Sequence, residues 1–401
     1  MKKMENPINV FQLKGSEYEM GVKQGTYFKH EINELYMKLT SSEEFLALKP
    51  FLIPTFLYKG LATIISSGMI KGSIQEHFPS QWRFLEGLTE GADISLRKLL
   101  FLQAIDALGT QITNYKIEEN ISTSFNHCSA VGVVGSKSRT GGVLMVKNWD
   151  GPEFLAEYTI FRSITPSGER FSTIGSGVAG LVGINNGMNE KGLSIVYNYA
   201  YPKDIGDKGV PAMIIIREAL ETCTTVKETI ALFKKYPRIG GSNVMVADKE
   251  GDLAVLEIGP SNVEVRREGD DEEKDWLVCT NHYLTPAMKK LEVSRDAVYN
   301  ENAAEAFRGK LVHKTSLLRY QNAREILKND SPEQISLDFL NNKIQCSHGS
   351  ENKPSEFTFC NHGVIISTGF GVMLDVDNEQ FYAALGKPCK EKMQNLSKIM
   401  Q

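Results

Sequence analysis

His127-Cys128-Ser129-Ala130-Val131-Gly132-Val133-Val134-Gly135, answered by Val143-Leu144-Met145-Val146-Lys147-Asn148-Trp149-Asp150, is the stretch that decides the fold. Two apolar, partly β-branched runs are joined by Ser136-Lys137-Ser138-Arg139-Thr140-Gly141-Gly142, a composition that predicts two short strands and a turn. A tight hairpin would bring Asp150 back towards Cys128. Just ahead lies Gly109 to His127, rich in Thr, Asn, Ser and Glu, which reads as an exposed loop.

Towards the N-terminus the texture is helical. Met20, Tyr27, Ile32, Leu35 and Leu39 recur at roughly helical spacing between Glu17 and Leu39, Ser42-Glu43-Glu44 reads as a helix start, and Ser95 as a cap for Leu96–Leu108. Phe51 to Ile70 is the most apolar stretch, but Pro54, Lys59, Gly60 and Ser66-Ser67-Gly68 interrupt it. A membrane span needs about 20 mostly apolar residues without such breaks, so a buried or amphipathic helix pair is expected rather than a span.

Towards the C-terminus strands and helices alternate in blocks. Strand runs are expected at Tyr158–Ile164, Phe171–Ile174, Leu181–Ile184 and Leu193–Tyr197, then helices at Ala212–Glu221 and Val226–Tyr236. Strands resume at Asn243–Ala247, Leu253–Ile258, Val263–Arg267 and Trp276–Thr280, ending at Asn281-His282. Helices are read at Ser316–Leu327 and Pro332–Asn341, and strands at Gly363–Ser367, Val372–Asp375 and Phe381–Ala384. Segregated strand and helix blocks point to an α+β protein with antiparallel sheets.

The chain has 401 residues and a formal net charge of -4, which argues against nucleic acid as a partner. Six cysteines, Cys128, Cys223, Cys279, Cys346, Cys360 and Cys389, are too sparse and irregular for a disulfide framework. No apolar run follows the charged start, so no secretory signal is read and a reducing, cytoplasmic setting is expected.

A cysteine at the junction of a polar loop and a strand is ordinarily structural; the company of Cys128 alters that. Asn148-Trp149-Asp150 ends the next run, and Gly183 to Leu193 with Asn198, Thr280-Asn281-His282-Tyr283 and Ser316-Leu317-Leu318-Arg319 follow. With Gly15-Ser16-Glu17-Tyr18-Glu19-Met20-Gly21 at one end and Cys360-Asn361-His362 and Gly386-Lys387-Pro388-Cys389 at the other, the set stands in an order that resembles a known family across most of the chain. The resemblance is to the acyl-coenzyme A:6-aminopenicillanic acid acyltransferase family of self-processing cysteine Ntn hydrolases, related to the choloylglycine hydrolases and acid ceramidase.

That resemblance implies a four-layer αββα sandwich, an N-terminal helical segment at 1–127, a catalytic core at 128–401, and cleavage between His127 and Cys128 with both fragments staying associated. It makes Cys128 the nucleophile and matches Asp150 to the family's acidic residue, Asn281 to its oxyanion asparagine and Arg319 to its arginine. His127 stands where the type member has glycine, and Lys147 where the hydrolase relatives place arginine. Asn198 and His282 are candidates for substrate or oxyanion contact, His282 being structural rather than a base, since the freed α-amine fills that role.

The chemistry fits those residue types. A thiol of pKa about 8.5 is mostly protonated at neutral pH, whereas a freed α-amine of pKa about 7.7–8.0 can take its proton. A small acyl amide or acyl thioester is the expected partner. No cofactor is expected, since no phosphate-binding glycine loop is evident, and coenzyme A would enter as a thioester substrate. Cys346-x-His348 with Cys360-x-His362 could supply four zinc ligands, but the pairs lack the usual spacer and the resemblance accounts for Cys360 to His362 without metal, so none is expected. The rival readings are a non-catalytic or metal-stabilised binding protein of the same fold, and a peptidase pairing its cysteine with His282 or His313 without self-cleavage.

Overall fold

The computed structural model describes residues 7–47, 49–105, 127–269, 273–301, 303, 305, 307–349 and 351–399. The polar stretch at 109–126, read above as an exposed loop, lies outside them. In chain order the elements are β1 (Val10–Gly15), α1 (Glu17–Tyr27), α2 (Lys29–Leu39), α3 (Glu43–Ala47), α4 (Thr55–His77), α5 (Pro79–Ala92) and α6 (Leu96–Gln103). After the gap come β2 (His127–Val133), β3 (Leu144–Pro152), α7 (Glu153–Ala156), β4 (Thr159–Pro166), β5 (Thr173–Val178), β6 (Asn186–Asn189), β7 (Ser194–Tyr199) and β8 (Val210–Pro211). Then follow α8 (Ala212–Thr222), α9 (Val226–Lys235), β9 (Arg238–Ile239), β10 (Ser242–Ala247), β11 (Leu253–Ile258), β12 (Val263–Arg267) and β13 (Trp276–Cys279). The chain closes with α10 (Pro286–Lys289), α11 (Lys314–Glu325), α12 (Leu337–Phe339), β14 (Ile366–Asp375), β15 (Gln380–Leu385) and β16 (Gln394–Asn395).

Two sheets stack face to face. The larger runs β1-β4-β5-β6-β7-β10-β11-β12, the smaller β13-β2-β3-β14-β15-β16. Every pairing in them is antiparallel except β1 with β4. Ala130, Met145, Val196, Met245 and Leu253 belong to the continuous core between them, each fully buried, and a large aliphatic side chain so placed is worth about 1.5–3 kcal/mol. Helices α8 and α9 cover the outer face of the larger sheet, while α11 and the π turn Leu340–Gln345 pack on the smaller one with Val131, Val133, Leu144 and Val146. This is the expected αββα sandwich.

Local chemistry sets the helix starts. Ser16 and Glu19 form a reciprocal capping box on α1, Thr225 and Glu228 another on α9, and Ser95 caps α6. Helices α1 and α5 cross almost backbone to backbone. A Cβ on Gly21 would lie 2.1 Å from the Phe84 carbonyl oxygen, and one on Gly87 equally close to the Tyr18 oxygen, so the crossing requires glycine on both sides.

Several expectations change. Leu181–Ile184 forms no strand; β6 begins at Asn186 instead. Val10–Gly15 is a strand at the edge of the larger sheet, paired in parallel with Phe161–Pro166, so the N-terminal segment is not purely helical. Phe51–Ile70 yields one helix, α4, not a pair, and its face carrying Phe56, Leu57, Ile64 and Ile65 is exposed rather than buried. Among the described residues no helix is long and apolar enough to cross a membrane. Finally, Gly363–Ser367 and Val372–Asp375 merge into the single strand β14, with a bulge between Thr368 and Phe370.

Candidate active site

The site grows from the register of β2 with β3. Cys128 stands opposite Trp149, and Asp150 opposite His127. Side chains alternate along a strand, which turns Cys128 and Lys147 to the inner face and Ser129 and Asp150 to the α11 face. Contacts agree: the Lys147 ammonium donates to the Tyr197 carbonyl of the other sheet, and Arg319 of α11 donates to Ser129 Oγ at 2.5 Å.

Strand β13 ends at Cys279, and Thr280-Asn281-His282 then turns over the start of β2. The Asn281 N–H donates to Ser316 Oγ at 2.8 Å and its Nδ2 to the Tyr199 carbonyl at 2.8 Å. Its Oδ1 accepts from the Cys128 N–H at 2.8 Å and from Arg319 at 2.9 Å. Guanidinium only donates, so Arg319 fixes which end of the amide faces Cys128. A second Arg319 nitrogen donates to the Cys128 carbonyl at 2.5 Å. The two polar atoms of the Cys128 backbone are therefore gripped by one linked pair, Asn281 and Arg319. Asp150 Oδ2 lies 3.9 Å from Arg319, and its Oδ1 accepts from Thr368 Oγ1 at 2.6 Å.

Burial dominates the electrostatics. It pushes the Cys128 thiol up, with Lys147, the Asp150 N–H and Arg319 pulling the other way, so in the uncut chain the sulfur is a protonated thiol. It pushes the Asp150 carboxyl up to about 7 against Arg319, Thr368, Lys147 and Asn361. Arg319 is lowered by burial while Asp150 opposes the shift.

The structure thus brings Cys128, Asp150, Asn281 and Arg319 together. It presents Asn281 differently from the expectation: the oxygen of the amide, not an N–H, meets Cys128. Asn198 serves as a tie between sheets, its Nδ2 donating to the Cys279 carbonyl at 2.9 Å. His282 Nδ1 is engaged by Ser316 Oγ at 2.7 Å, and burial holds its pKa well below the usual imidazole value. His127 is buried with neither ring nitrogen bonded among the described residues, and burial lowers its pKa to about 3. Its ring borders a cavity of about 130 Å³ lined by Phe307, Val364, Ile365 and Ile366, with the Lys310–Glu356 ion pair at 2.7 Å on the rim.

Sequence reading missed Thr368. It sits directly across from Asp150, and the bulge after it leaves its hydroxyl between the Asp150 carboxyl and the Asn361 N–H, which donates to Thr368 Oγ1 at 2.8 Å. Only a Thr in a strand opposite the acidic residue could have signalled this. The metal-ligand set also differs: Cys346 turns to Asn341 Oδ1 at 3.8 Å, and Cys389 takes its place beside His348, Cys360 and His362.

The sequence profile described as acyl-coenzyme A:6-aminopenicillanic acid acyl-transferase matches residues 137–358, more than half of the chain and starting beyond Cys128. Protein dcd1B of Dictyostelium discoideum is 26% identical over 288 residues, 67% of this chain and 53% of that protein, so the chain spans about half the length of this curated relative. A mutant conjugated bile acid hydrolase from Clostridium perfringens superposes with a TM-score of 0.41 at 16% identity, covering 67% of this chain and 93% of the other. A Caenorhabditis elegans ortholog of N-acylethanolamine-hydrolyzing acid amidase gives 0.38 at 15% identity, covering 62% and 93%. Likenesses this remote lend no residue roles.

Proposed function

We propose the following reaction for this chain, which belongs to the acyl-coenzyme A:6-aminopenicillanic acid acyl-transferase family: it cleaves its own peptide bond between His127 and Cys128, then uses the freed Cys128 on small acyl amides or acyl thioesters. The observation that carries this reading is the grip of Asn281 and Arg319 on the Cys128 N–H and carbonyl. A merely structural cysteine needs no such hold on both sides of its backbone.

In self-cleavage the Cys128 sulfur attacks the His127 carbonyl carbon. The C–N bond breaks, the thiol proton ends on the Cys128 nitrogen, and a thioester forms. Water hydrolyses it, leaving a His127 carboxylate, a free thiol and a free α-amine. That amine, with a pKa of about 7.7–8.0 in a model peptide, takes the thiol proton as Cys128 attacks a substrate carbonyl and passes it to the leaving amine. Water then releases the acyl group.

Asn281 Oδ1 already accepts from the nitrogen that becomes the amine and would orient it. The Nδ2 hydrogen not spent on Tyr199 is its remaining donor for an oxyanion, an effect worth about 3–4 kcal/mol per donor in other enzymes. Arg319 would hold Asn281 and the Cys128 carbonyl in place, with Asp150 balancing its buried charge. In self-cleavage His127 stands on the acyl side of the broken bond, so a substrate acyl group would take its place beside Phe307, Ile365 and Ile366. That lining suits an apolar acyl group. Hydrolysis is favoured over transfer because water is always present and transfer needs an acceptor site. A cysteine–histidine peptidase is disfavoured, since His282 is bound to Ser316 and His313 Nε2 meets the Val293 carbonyl at 3.0 Å.

Intact-protein mass spectrometry of the purified chain beside Cys128→Ala tests the proposal. Two fragments meeting between His127 and Cys128, absent from the variant, are expected. A single uncut chain in both, under conditions where the protein is folded, would refute self-processing.

A further inference from the structure

On the far side of Asp150 from Cys128, four soft ligands converge. We propose that His348, Cys360, His362 and Cys389 form a tetrahedral site for a zinc-class divalent cation, a structural staple that holds the loop contacting Asp150. His362 Nε2 lies 3.2 Å from His348 Nε2, 3.5 Å from Cys360 Sγ and 3.3 Å from Cys389 Sγ. All four ligand atoms fall within 4.8 Å of one another.

Geometry separates this set from a chance cluster. Zinc bonds of about 2.0–2.1 Å to nitrogen and 2.3 Å to sulfur, at the tetrahedral angle, require edges of about 3.3–3.4 Å between nitrogens and about 3.5–3.6 Å between nitrogen and sulfur. The three edges at His362 match within about 0.3 Å, near the ±0.2 Å tolerance of such bonds, and a small closure of the other ligands would complete the tetrahedron. Hydrogen bonding cannot account for the convergence, because one ring nitrogen carries a single hydrogen or a single lone pair and here meets three partners. A central cation satisfies all four at once. Two thiolates and two neutral imidazoles balance a dication, and a soft nitrogen–sulfur set in tetrahedral array selects zinc over calcium or magnesium. The Cys389 N–H also hydrogen-bonds the Cys360 sulfur, an outer contact of the kind that orients a metal ligand. Cys360 is buried and the other three half-buried, so an ion has a short way in.

The ligands come from separate pieces of chain. His348 follows the π turn Leu340–Gln345, Cys360 and His362 precede β14, and Cys389 follows β15. Between two ligands stands Asn361, whose N–H donates to Thr368 Oγ1, which in turn donates to Asp150. A cation would therefore fix the loop that supports Asp150 without touching the reacting atoms.

The test is metal content of the full chain purified in reducing, chelator-free buffer, in both the native and the Cys128→Ala backgrounds, so that its result does not depend on self-cleavage. About one zinc per chain is expected, kept in Cys346→Ser and reduced below about a tenth in Cys360→Ser and Cys389→Ser. Should the two ligand variants fail to fold, cobalt(II) loaded into the unsubstituted chain decides. A tetrahedral spectrum with sulfur-to-cobalt charge transfer supports the site; an octahedral spectrum, no uptake of cobalt or zinc, or a Cys360–Cys389 disulfide in metal-free protein overturns it.

Discussion

Replacing Thr368 by valine removes a hydroxyl and keeps the shape. In the structure that hydroxyl donates to Asp150 Oδ1 at 2.6 Å, and the Asp150 carboxyl already titrates at about 7 because it is buried. A hydrogen bond to a charged group contributes about 1.5–3 kcal/mol, and 1.36 kcal/mol is one pKa unit, so Thr368→Val should raise Asp150 by about 1–2 units. If ionised Asp150 is needed to balance Arg319 during self-cleavage, the rate should rise with pH through about 7 in the parent chain and through about 8–9 in the variant. At pH 7 the ionised fraction then drops from about half to between about a tenth and a hundredth, a slowing of about 5–50-fold. Stability moves the opposite way with pH. Asp150 stands above its ordinary value of 3.8, so the uncut chain loses stability between about pH 4 and 7, and the variant goes on losing it to higher pH. The assay is the uncut fraction against time across pH 5–10, read by mass. A profile that stays put, or moves to lower pH, would refute the reasoning.

Two further outcomes test the fold. Glu221 is buried and accepts from Arg217 at 2.6 Å and Arg170 at 2.8 Å, so Glu221→Gln should cost about 3–5 kcal/mol in urea unfolding; a loss below about 1 kcal/mol would show the pair to be dispensable. Gly87→Ala should destabilise by about 1–3 kcal/mol or more by forcing α1 from α5, while Gly72→Ala on α4, whose added methyl meets nothing within 4 Å, should be neutral or stabilising by up to about 1 kcal/mol. Equal thermal shifts in the two would contradict the close crossing.

Local signals reached far in this chain. The hairpin around Cys128, the helices α8 and α9 and the strands β10 to β12 are legible because alternation and turn residues act over a few positions. β1 was not legible: it has only six residues, and its partner β4 begins far along the chain, so nothing nearby announces the parallel pair. The exposure of Phe56 and Ile65 was hidden because hydropathy does not say whether a neighbour exists to cover a face. That Cys128, Asp150, Asn281 and Arg319 would stand together was legible through family order, but the orientation of the Asn281 amide was not, being set by an arginine on a distant helix. Cys389 escaped the metal argument because sequence spacing pairs neighbours, and Cys389 reaches the cluster only after the chain has run out along β14 and back along β15.

The parallel pairing of β1 with β4 carries one more consequence. Without β1, β4 would be the open rim of the larger sheet, a template for unwanted strand addition. The peptide link between the two halves keeps β1 at high local concentration while that rim is still bare. Once seated, β1 is reinforced by the Arg217–Glu17 ion pair at 2.6 Å and by Arg162 donating to Gln24 at 2.7 Å, both of which span the proposed cut. A scission after folding would change covalent connectivity and leave these contacts intact. A scission before it would release a sticky sheet and a stray strand. For the proposed cleavage, the sheet would therefore set the order of events: assembly first, then scission.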